Sequence, residues 1–161
     1  MIIGSTVAAV LVYGAHYACV WSGDSRIYLI RGKEIRQVSH DHTEVQELVD
    51  SGAVSAAEAR NWPRRNVITR AVGIFDDPEL DLVQGEIKSG DTFVVCSDGL
   101  TGPVEDAEIL HSIDTHAPQA ACDALIDLSL DRGARDNVTV IVVRCMADEP
   151  AMAARVSGDA A

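Results

Sequence analysis

The chain has 161 residues, of which 47% are hydrophobic, so it is long enough for one domain with a buried core and too short for two domains of ordinary size. It carries 13 Lys and Arg residues against 25 Asp and Glu residues, a formal net charge of −12. Such a charge repels polyanions and argues against nucleic acid as a partner, but it leaves divalent cations open as ligands.

The first third of the chain predicts three short strands, because apolar runs alternate there with tight turns. Turns this short favour an antiparallel meander, in which each strand pairs with the next one along the chain. The predicted strands cover residues 5–12, 17–21 and 26–30.

The remainder of the chain mixes helical and extended patterns. Hydrophobic spacing and capping residues predict helices at residues 38–52, 55–60, 107–113 and 118–131. Apolar runs predict further strands at residues 67–71, 80–86, 92–97 and 137–145. Strands followed by grouped helices are typical of an α+β layered sandwich rather than a parallel alternating sheet. We therefore predict one domain over residues 1–146 and a mobile tail over residues 147–161, where Ala, Asp, Gly and Ser dominate.

Signals for membranes and for an oxidising compartment are missing from the sequence. No apolar run approaches the roughly 18 residues that span a bilayer, and the first residues lack the basic start of a secretory signal. The cysteines lie far apart and form no CxxC pair, which indicates free thiols rather than zinc ligands or disulfides. They are Cys19, Cys96, Cys122 and Cys145. We therefore predict a soluble cytoplasmic protein with no membrane partner.

Three aspartates stand where a predicted strand meets a turn, namely Asp24, Asp98 and Asp136. Magnesium and manganese prefer several oxygen ligands, and carboxylates at the ends of rigid strands supply them at fixed positions. The alternative is structural, because an Asp in a Gly-flanked turn commonly caps its own backbone. The uncharged strand that ends at Asp98 favours the metal site, since a carboxylate in such a place lowers stability unless it has a partner.

Six segments of the chain resemble, in order, the motifs of the PPM-type (type 2C) metal-dependent serine/threonine protein phosphatases. The segments are residues 4–9, 23–26 (GDSR), 39–42 (SHDH), 66–73 (NVITRAVG), 96–100 (CSDGL) and 135–139 (RDNVT). The resemblance implies a partial αββα four-layer sandwich of antiparallel sheets with flanking helices. It also implies a bacterial signalling enzyme that uses Mg²⁺ or Mn²⁺ to hydrolyse phosphoserine and phosphothreonine in protein substrates. A cognate kinase would phosphorylate those substrates.

The resemblance assigns roles to individual residues. Asp98 and Asp136 would ligate one ion of a central metal pair, and Asp24 together with Asp98 would hold an additional ion. Asn137 would orient Asp136 or a metal-bound water, and Gly99 would support the same ligands. A variable flap beside the active site would cover residues 39–65. In that flap, Arg64 and Arg65 either meet a phosphoprotein substrate or belong to a solvated charged loop.

The chain departs from the family at its beginning. The family normally carries a DG-x-GGH-like turn before the segment at residues 4–9, and the Asp of that turn bridges both central metals. Nothing similar precedes that segment here, and the usual phosphate-binding arginine and general acid are also missing. We therefore expect a chain without the N-terminal third of the family, inactive or weak by itself, that exposes sheet edges. Such a chain would form a homodimer, swap elements between copies, or pair with the missing segment supplied in trans. The alternative is a non-catalytic pseudophosphatase, a regulatory binding module.

Histidines offer a weaker candidate site. The run His40, Asp41 and His42 contains metal-ligand residue types, but neighbouring positions of an extended chain point to opposite faces. Polar residues of a loop are the preferred interpretation.

Overall fold

The structure is a computed structural model that describes residues 3–74 and 76–146. Its strands are β1 (Val7–Tyr13), β2 (His16–Ser22), β3 (Arg26–Arg31), β4 (Glu34–Gln37), β5 (Asp81–Glu86), β6 (Thr92–Cys96) and β7 (Val140–Arg144). Its helices are α1 (Glu44–Asp50), α2 (Ala56–Ala59), α3 (Asp98–Thr101), α4 (Asp106–Thr115) and α5 (Pro118–Asp131). The tail predicted for residues 147–161 lies outside the described residues.

The strands form two antiparallel sheets that face each other. One sheet has the order β1-β2-β5, and the other has the order β4-β3-β6-β7. Helices α4 and α5 pack on the outer face of the four-stranded sheet, where they cover β7 and its neighbours. Two antiparallel sheets with flanking helices confirm the predicted α+β sandwich. No helix in the described part of the chain is long and apolar enough to cross a bilayer.

Both faces of the four-stranded sheet are buried at β3 and β6, because alternate side chains of these strands point into two different cores. Tyr28 and Val94 point towards the helices and form one core with Leu100, Ile109 and residues around them. On the opposite face, Ile27, Leu29 and Phe93 meet Tyr17, Cys19 and Trp21 of the three-stranded sheet in a second core. Because β3 and β6 are packed on both faces, the residues at their ends have little freedom to move.

The predicted meander of the first three strands is wrong. β1 and β2 do form an antiparallel hairpin, but β3 leaves that sheet and pairs with β4 and β6. The chain crosses between the sheets at Gly23, whose φ of 106° is a left-handed conformation that favours glycine. A side chain at this position would also collide with Thr6, since an ideal Cβ would lie 2.4 Å from its Cγ2.

Two further expectations differ from the structure, and two short elements were not predicted. The segment at residues 67–71 forms only an isolated bridge between Ile68 and Thr43, not a strand. The helix predicted from residue 38 begins only at Glu44, because the side chain of Thr43 caps it by accepting a hydrogen bond from the backbone N–H of Gln46 at 3.2 Å. β4 and α3 have four residues each, too few for a periodic pattern to reveal them.

One side of the sandwich carries open strand edges. β1 is an edge of its sheet and lies over β3 and β6, while β7 is an edge of the other sheet. Large apolar side chains remain exposed on these edge strands, among them Leu11, Tyr13 and Ile141. The observation supports the expectation of exposed sheet edges and apolar surface.

Candidate metal centre

Strand register places Asp24 and Asp98 at the same end of the four-stranded sheet. In the β3–β6 pair, Arg26 lies across from Cys96. Asp24 stands two residues before Arg26, and Asp98 begins α3 two residues after Cys96, so both aspartates lie at the same end of the β3–β6 pair. Burial is the larger cause and repulsion from Asp98 the next, and together they raise the pKa of Asp24 from 3.8 to about 6. Asp98 therefore lies near Asp24 and disfavours its charge.

Asp98 is held by a tightly packed helix start. It is the first residue of α3, and Leu100 behind it is fully buried in the core next to the helices. The carbonyl of Gly99 accepts a hydrogen bond from the hydroxyl of Ser129 in α5 at 2.8 Å. Since α5 also packs on β7, this contact fixes the direction in which Asp98 leaves the sheet.

Gly99 brings the Asp136 segment against Asp98. A Cβ at Gly99 would lie 2.3 Å from the backbone oxygen of Asn137, so the two backbones are in direct contact and only glycine fits. Ser97 and Thr139 reinforce the contact, because the N–H of Ser97 donates to the carbonyl of Thr139 at 3.1 Å and the N–H of Thr139 donates to the Ser97 hydroxyl at 3.0 Å. The position predicted for a supporting role is thus a packing joint between the two ligand segments.

Asp136 itself is exposed. Its Oδ1 accepts a hydrogen bond of 2.7 Å from the backbone N–H of Asn137. Within the described residues, the Asn137 side chain makes no hydrogen bond, so here the support of Asp136 comes from the backbone of Asn137. The orientation of Asp136 by the amide side chain stays a prediction.

The three aspartates lack cationic partners. Arg and His side chains pair with eight carboxylates in the described part of the chain, but none of these pairs includes Asp24, Asp98 or Asp136. No three His, Cys, Asp or Glu side chains among residues 3–74 and 76–146 lie close enough together to hold a metal ion. Hard oxygen donors of this kind fit Mg²⁺ or Mn²⁺, and the arrangement is an open pair, Asp24 and Asp98, with the segment of Asp136 in backbone contact with Gly99, rather than a closed cage.

Residues 39–42 contribute buried support instead of surface loop polarity. His40 reaches the exposed Asp50 at 2.7 Å, whereas Asp41 pairs with Arg26 at 2.6 Å and His42 contacts the Gly23 backbone at 3.1 Å. Asp41 and His42 are only 9% and 6% exposed. They hold the turn that carries Asp24. Sequence reasoning missed this role, although the Arg of the GDSR segment followed by a downstream Asp and His was a visible signal.

The two flap arginines differ in their surroundings. Arg64 forms an exposed ion pair with Glu44 at 2.9 Å. Arg65 donates to the carbonyl of Arg60 at 2.9 Å, and an ideal Cβ on Gly102 would lie 3.9 Å from its Nη2. Gly102 directly follows α3, so Arg65 lies at the far end of the short helix that begins with Asp98.

The predicted free thiols are confirmed. All four cysteines lie in the described residues and none forms a disulfide. Burial raises the pKa of Cys19 to about 11 and that of Cys96 to about 12, so both remain protonated at neutral pH.

Comparisons with known proteins agree with the geometry. The family Stage II sporulation protein E (SpoIIE) matches residues 36–146, and the family Protein phosphatase 2C matches residues 1–48. The chain is 38% identical to the serine/threonine protein phosphatase PstP of Mycobacterium tuberculosis, over 97% of this chain and 31% of that protein.

Solved structures match as well. The crystal structure of the Mycobacterium tuberculosis phosphatase PstP/Ppp superposes with a TM-score of 0.86 at 39% identity, over 89% of this chain and 61% of that one. The catalytic domain of PstP in complex with 2 manganese ions gives a TM-score of 0.78 at 39% identity, over 86% of this chain and 57% of that one. The chain thus spans between about a third and three-fifths of these relatives. It belongs to the PPM-type (type 2C) family of metal-dependent serine/threonine protein phosphatases.

Proposed function

We propose that residues 1–146 form the greater part of the metal site of a protein phosphatase that hydrolyses phosphoserine and phosphothreonine with Mg²⁺ or Mn²⁺. The observation that carries the proposal is the pair Asp24 and Asp98, two neighbouring carboxylates that lack a cationic partner in the described residues. Two such charges destabilise each other at neutral pH, and a shared divalent cation converts that repulsion into attraction.

Each residue has a defined part in this proposal. Asp24 and Asp98 hold one ion, and Asp98 together with Asp136 contributes ligands to the central metal pair. Gly99 keeps the segments of Asp98 and Asp136 in contact, and Asn137 fixes Asp136. When bound, divalent ions neutralise phosphoryl oxygens and lower the pKa of water, which is the chemistry that phosphate-ester hydrolysis needs. The manganese ions of the related PstP catalytic domain support this choice of metal.

Substrate contact is proposed for the flap. Arg65 has no carboxylate partner within the described residues and lies beside α3, so its guanidinium is available for a phosphoprotein substrate. Arg64 is already paired with Glu44 and contributes less. A cognate Ser/Thr kinase and a cytoplasmic location belong to the same proposal, the latter supported by the four free thiols.

Weak or absent turnover of this chain alone is also part of the proposal. The described residues provide the neighbouring carboxylates of Asp24 and Asp98 and the exposed Asp136, and no three side chains of ligand type among them lie close enough together to hold a metal ion. The same observation favours the second candidate, a pseudophosphatase that binds a metal ion without hydrolysis. A homodimer through the open edges of β1 and β7 is proposed as well, and sedimentation velocity of the purified chain measures it directly.

The test combines metal binding with turnover. Manganese binding is followed by water-proton relaxation, and hydrolysis is measured with p-nitrophenyl phosphate and a phosphothreonine peptide. We compare the wild type with Asp98→Asn and with the matched control Asp114→Asn, an exposed aspartate beyond the opposite end of β6 that changes the net charge equally.

The outcomes separate the candidates. We expect manganese binding that Asp98→Asn abolishes and Asp114→Asn leaves unchanged. Binding together with Asp98-dependent turnover establishes the enzyme, whereas binding without turnover of either substrate favours the pseudophosphatase. If manganese does not bind in an Asp98-dependent way, the proposed metal site is wrong.

A further inference from the structure

One imidazole ring anchors the turn that carries Asp24. The Nδ1 atom of His42 lies 3.1 Å from the backbone nitrogen of Gly23, the residue immediately before Asp24. The backbone N–H of His42 also donates to the carbonyl of Gly23 at 3.0 Å. His42 therefore contacts both polar groups of Gly23, one through its ring and one through its main chain.

The contact with Gly23 determines which ring nitrogen carries the proton. A backbone N–H only donates, so Nδ1 accepts and the proton resides on Nε2. Nε2 in turn lies 3.1 Å from Oδ2 of Asp81, to which it donates. Asp81 accepts a second hydrogen bond from Nη1 of Arg70, also at 3.1 Å. The ring is thus held from behind by a carboxylate that is itself held by an arginine.

The surroundings of the ring leave it little freedom. Its side chain is only 6% exposed and stacks on Trp21, with ring centroids 6.3 Å apart and planes 22° from parallel. The carbonyl of His42 accepts from the N–H of Thr69 at 2.8 Å. The side chain of Thr6 also packs directly against Gly23, where it occupies the space that a Cβ would need. The peptide that leads into Asp24 is therefore clamped between two packed side chains.

This clamp opposes the repulsion between the two ligands. Asp98 lies close enough to Asp24 to repel its charge, and a free turn would relax so that the two carboxylates separate. Hydrogen-bonded supports of this kind orient ligands in known metal sites. We propose that His42, backed by Asp81, is a positioning residue that fixes the turn carrying Asp24 at the end of the sheet where Asp98 lies. The inference rests on the proposed function, because it concerns the same site.

Two substitutions divide the functions of the ring. His42→Asn keeps an acceptor near the position of Nδ1 but does not reach Asp81, whereas His42→Gln keeps a donor near the position of Nε2 but loses the acceptor for Gly23. His40→Asn is the matched control, because His40 lies two residues away and its ring contacts only the exposed Asp50. Circular dichroism verifies that each variant is folded under the conditions of measurement.

The first measurement is manganese affinity of the folded variants by water-proton relaxation. We expect His42→Gln to weaken binding about tenfold, His42→Asn to retain most of it, and His40→Asn to match the wild type. A merely structural histidine would lower stability in both His42 variants without this division in affinity. Wild-type affinity in folded His42→Gln overturns the proposal.

The second measurement needs no metal. In EDTA, Asp24→Asn removes the repulsion and is expected to raise the folding equilibrium constant about fivefold. In the His42→Gln background the turn has already relaxed, so the same substitution is expected to change the constant less than twofold. An equal gain in both backgrounds overturns the role of His42, even where the metal site itself is established. Coupling without manganese binding retains the clamp and instead contradicts the proposed function.

Discussion

The two ends of β6 carry aspartates in opposite situations. At its start, Asp91 is 1% exposed and receives two hydrogen bonds from the guanidinium of Arg31, at 2.8 and 2.7 Å. At its end, Asp98 lies near Asp24 and has no such cation in the described residues. Because β3 runs antiparallel to β6, the same pair of strands produces attraction at one end and repulsion at the other.

The comparison separates a carboxylate that stabilises the fold, Asp91, from carboxylates that are available to bind a ligand, Asp24 and Asp98. Arg31 and the backbone N–H of Lys88 hold the pKa of Asp91 below its usual value, as expected for a carboxylate that accepts hydrogen bonds and is paired with a cation. Asp24, half-buried and next to a like charge, has its pKa raised to about 6. A fold retains such an unfavourable charge where a ligand compensates for it.

The largest effect is expected from Gly99→Ala, which breaks the joint at the unpaired end. The new methyl group would collide with the backbone oxygen of Asn137, so we expect a loss of about 3 kcal/mol in the free energy of unfolding and no manganese binding. Urea denaturation and relaxation titration measure both. Gly90→Ala, in open space at the paired end but at a φ of 88°, serves as control with a loss of about 1 kcal/mol. Equal effects of the two substitutions would contradict the joint.

The next effect concerns the paired end. Asp91→Asn leaves Arg31 without its charged partner, and we expect a loss of about 2 kcal/mol in stability at pH 7. Since the folded-state pKa of Asp91 is depressed, its contribution is present above the unfolded pKa of 3.8 and disappears as the pH falls through the lower folded value. Urea titrations between pH 7 and pH 2 test this. A variant that loses as much relative stability at pH 2 as at pH 7 would show that the charge is irrelevant.

A smaller effect of opposite sign is expected at the unpaired end. Asp24→Asn removes a repelled carboxylate, so in EDTA at pH 7.5 we expect a gain of about 1 kcal/mol, after allowance for solvent screening of a half-buried group. Thermal unfolding with and without manganese provides the measurement, and manganese is expected to stabilise the wild type but not the variant. A loss of stability in EDTA would mean that the carboxylate has a favourable partner after all.

The smallest effect is expected away from both ends. Arg64→Ala removes an ion pair with Glu44 in which both side chains are exposed, so the change in stability should stay below about 0.5 kcal/mol. Urea denaturation at low and high salt measures it. A change above 1 kcal/mol would show that the flap is packed more firmly against the sandwich than an exposed ion pair implies.

Sequence patterns predicted the parts of the fold that depend on local periodicity. The strand β6 was predicted from its uncharged apolar run, and the helix α5 was predicted from the helical spacing of its apolar residues. The sheet to which β3 belongs was missed, because the crossing depends on the contact between Gly23 and Thr6, which are distant in sequence. Sheet membership is a property of packing, and tight turns alone do not determine it.

The candidate site was predictable to a similar degree. The three aspartates followed from their places at strand ends and from the family resemblance, and the structure brings Asp24 and Asp98 near each other. The partners that hold them were missed, since the contacts of His42 with Gly23 and Asp81 join segments 19 and 39 residues apart. Neither contact leaves a periodic signal in the sequence.

The shared strands between the two cores have a consequence for how the molecule opens. Residues of β3 and β6 contribute alternately to both cores, so their backbone amides become accessible to solvent only when both are disrupted. In deuterated buffer these amides should therefore be the last to exchange, with those of the edge strand β1 among the first. The residues flanking Asp98, of which Gly99 is itself buried, are therefore expected to share the slow opening of β6.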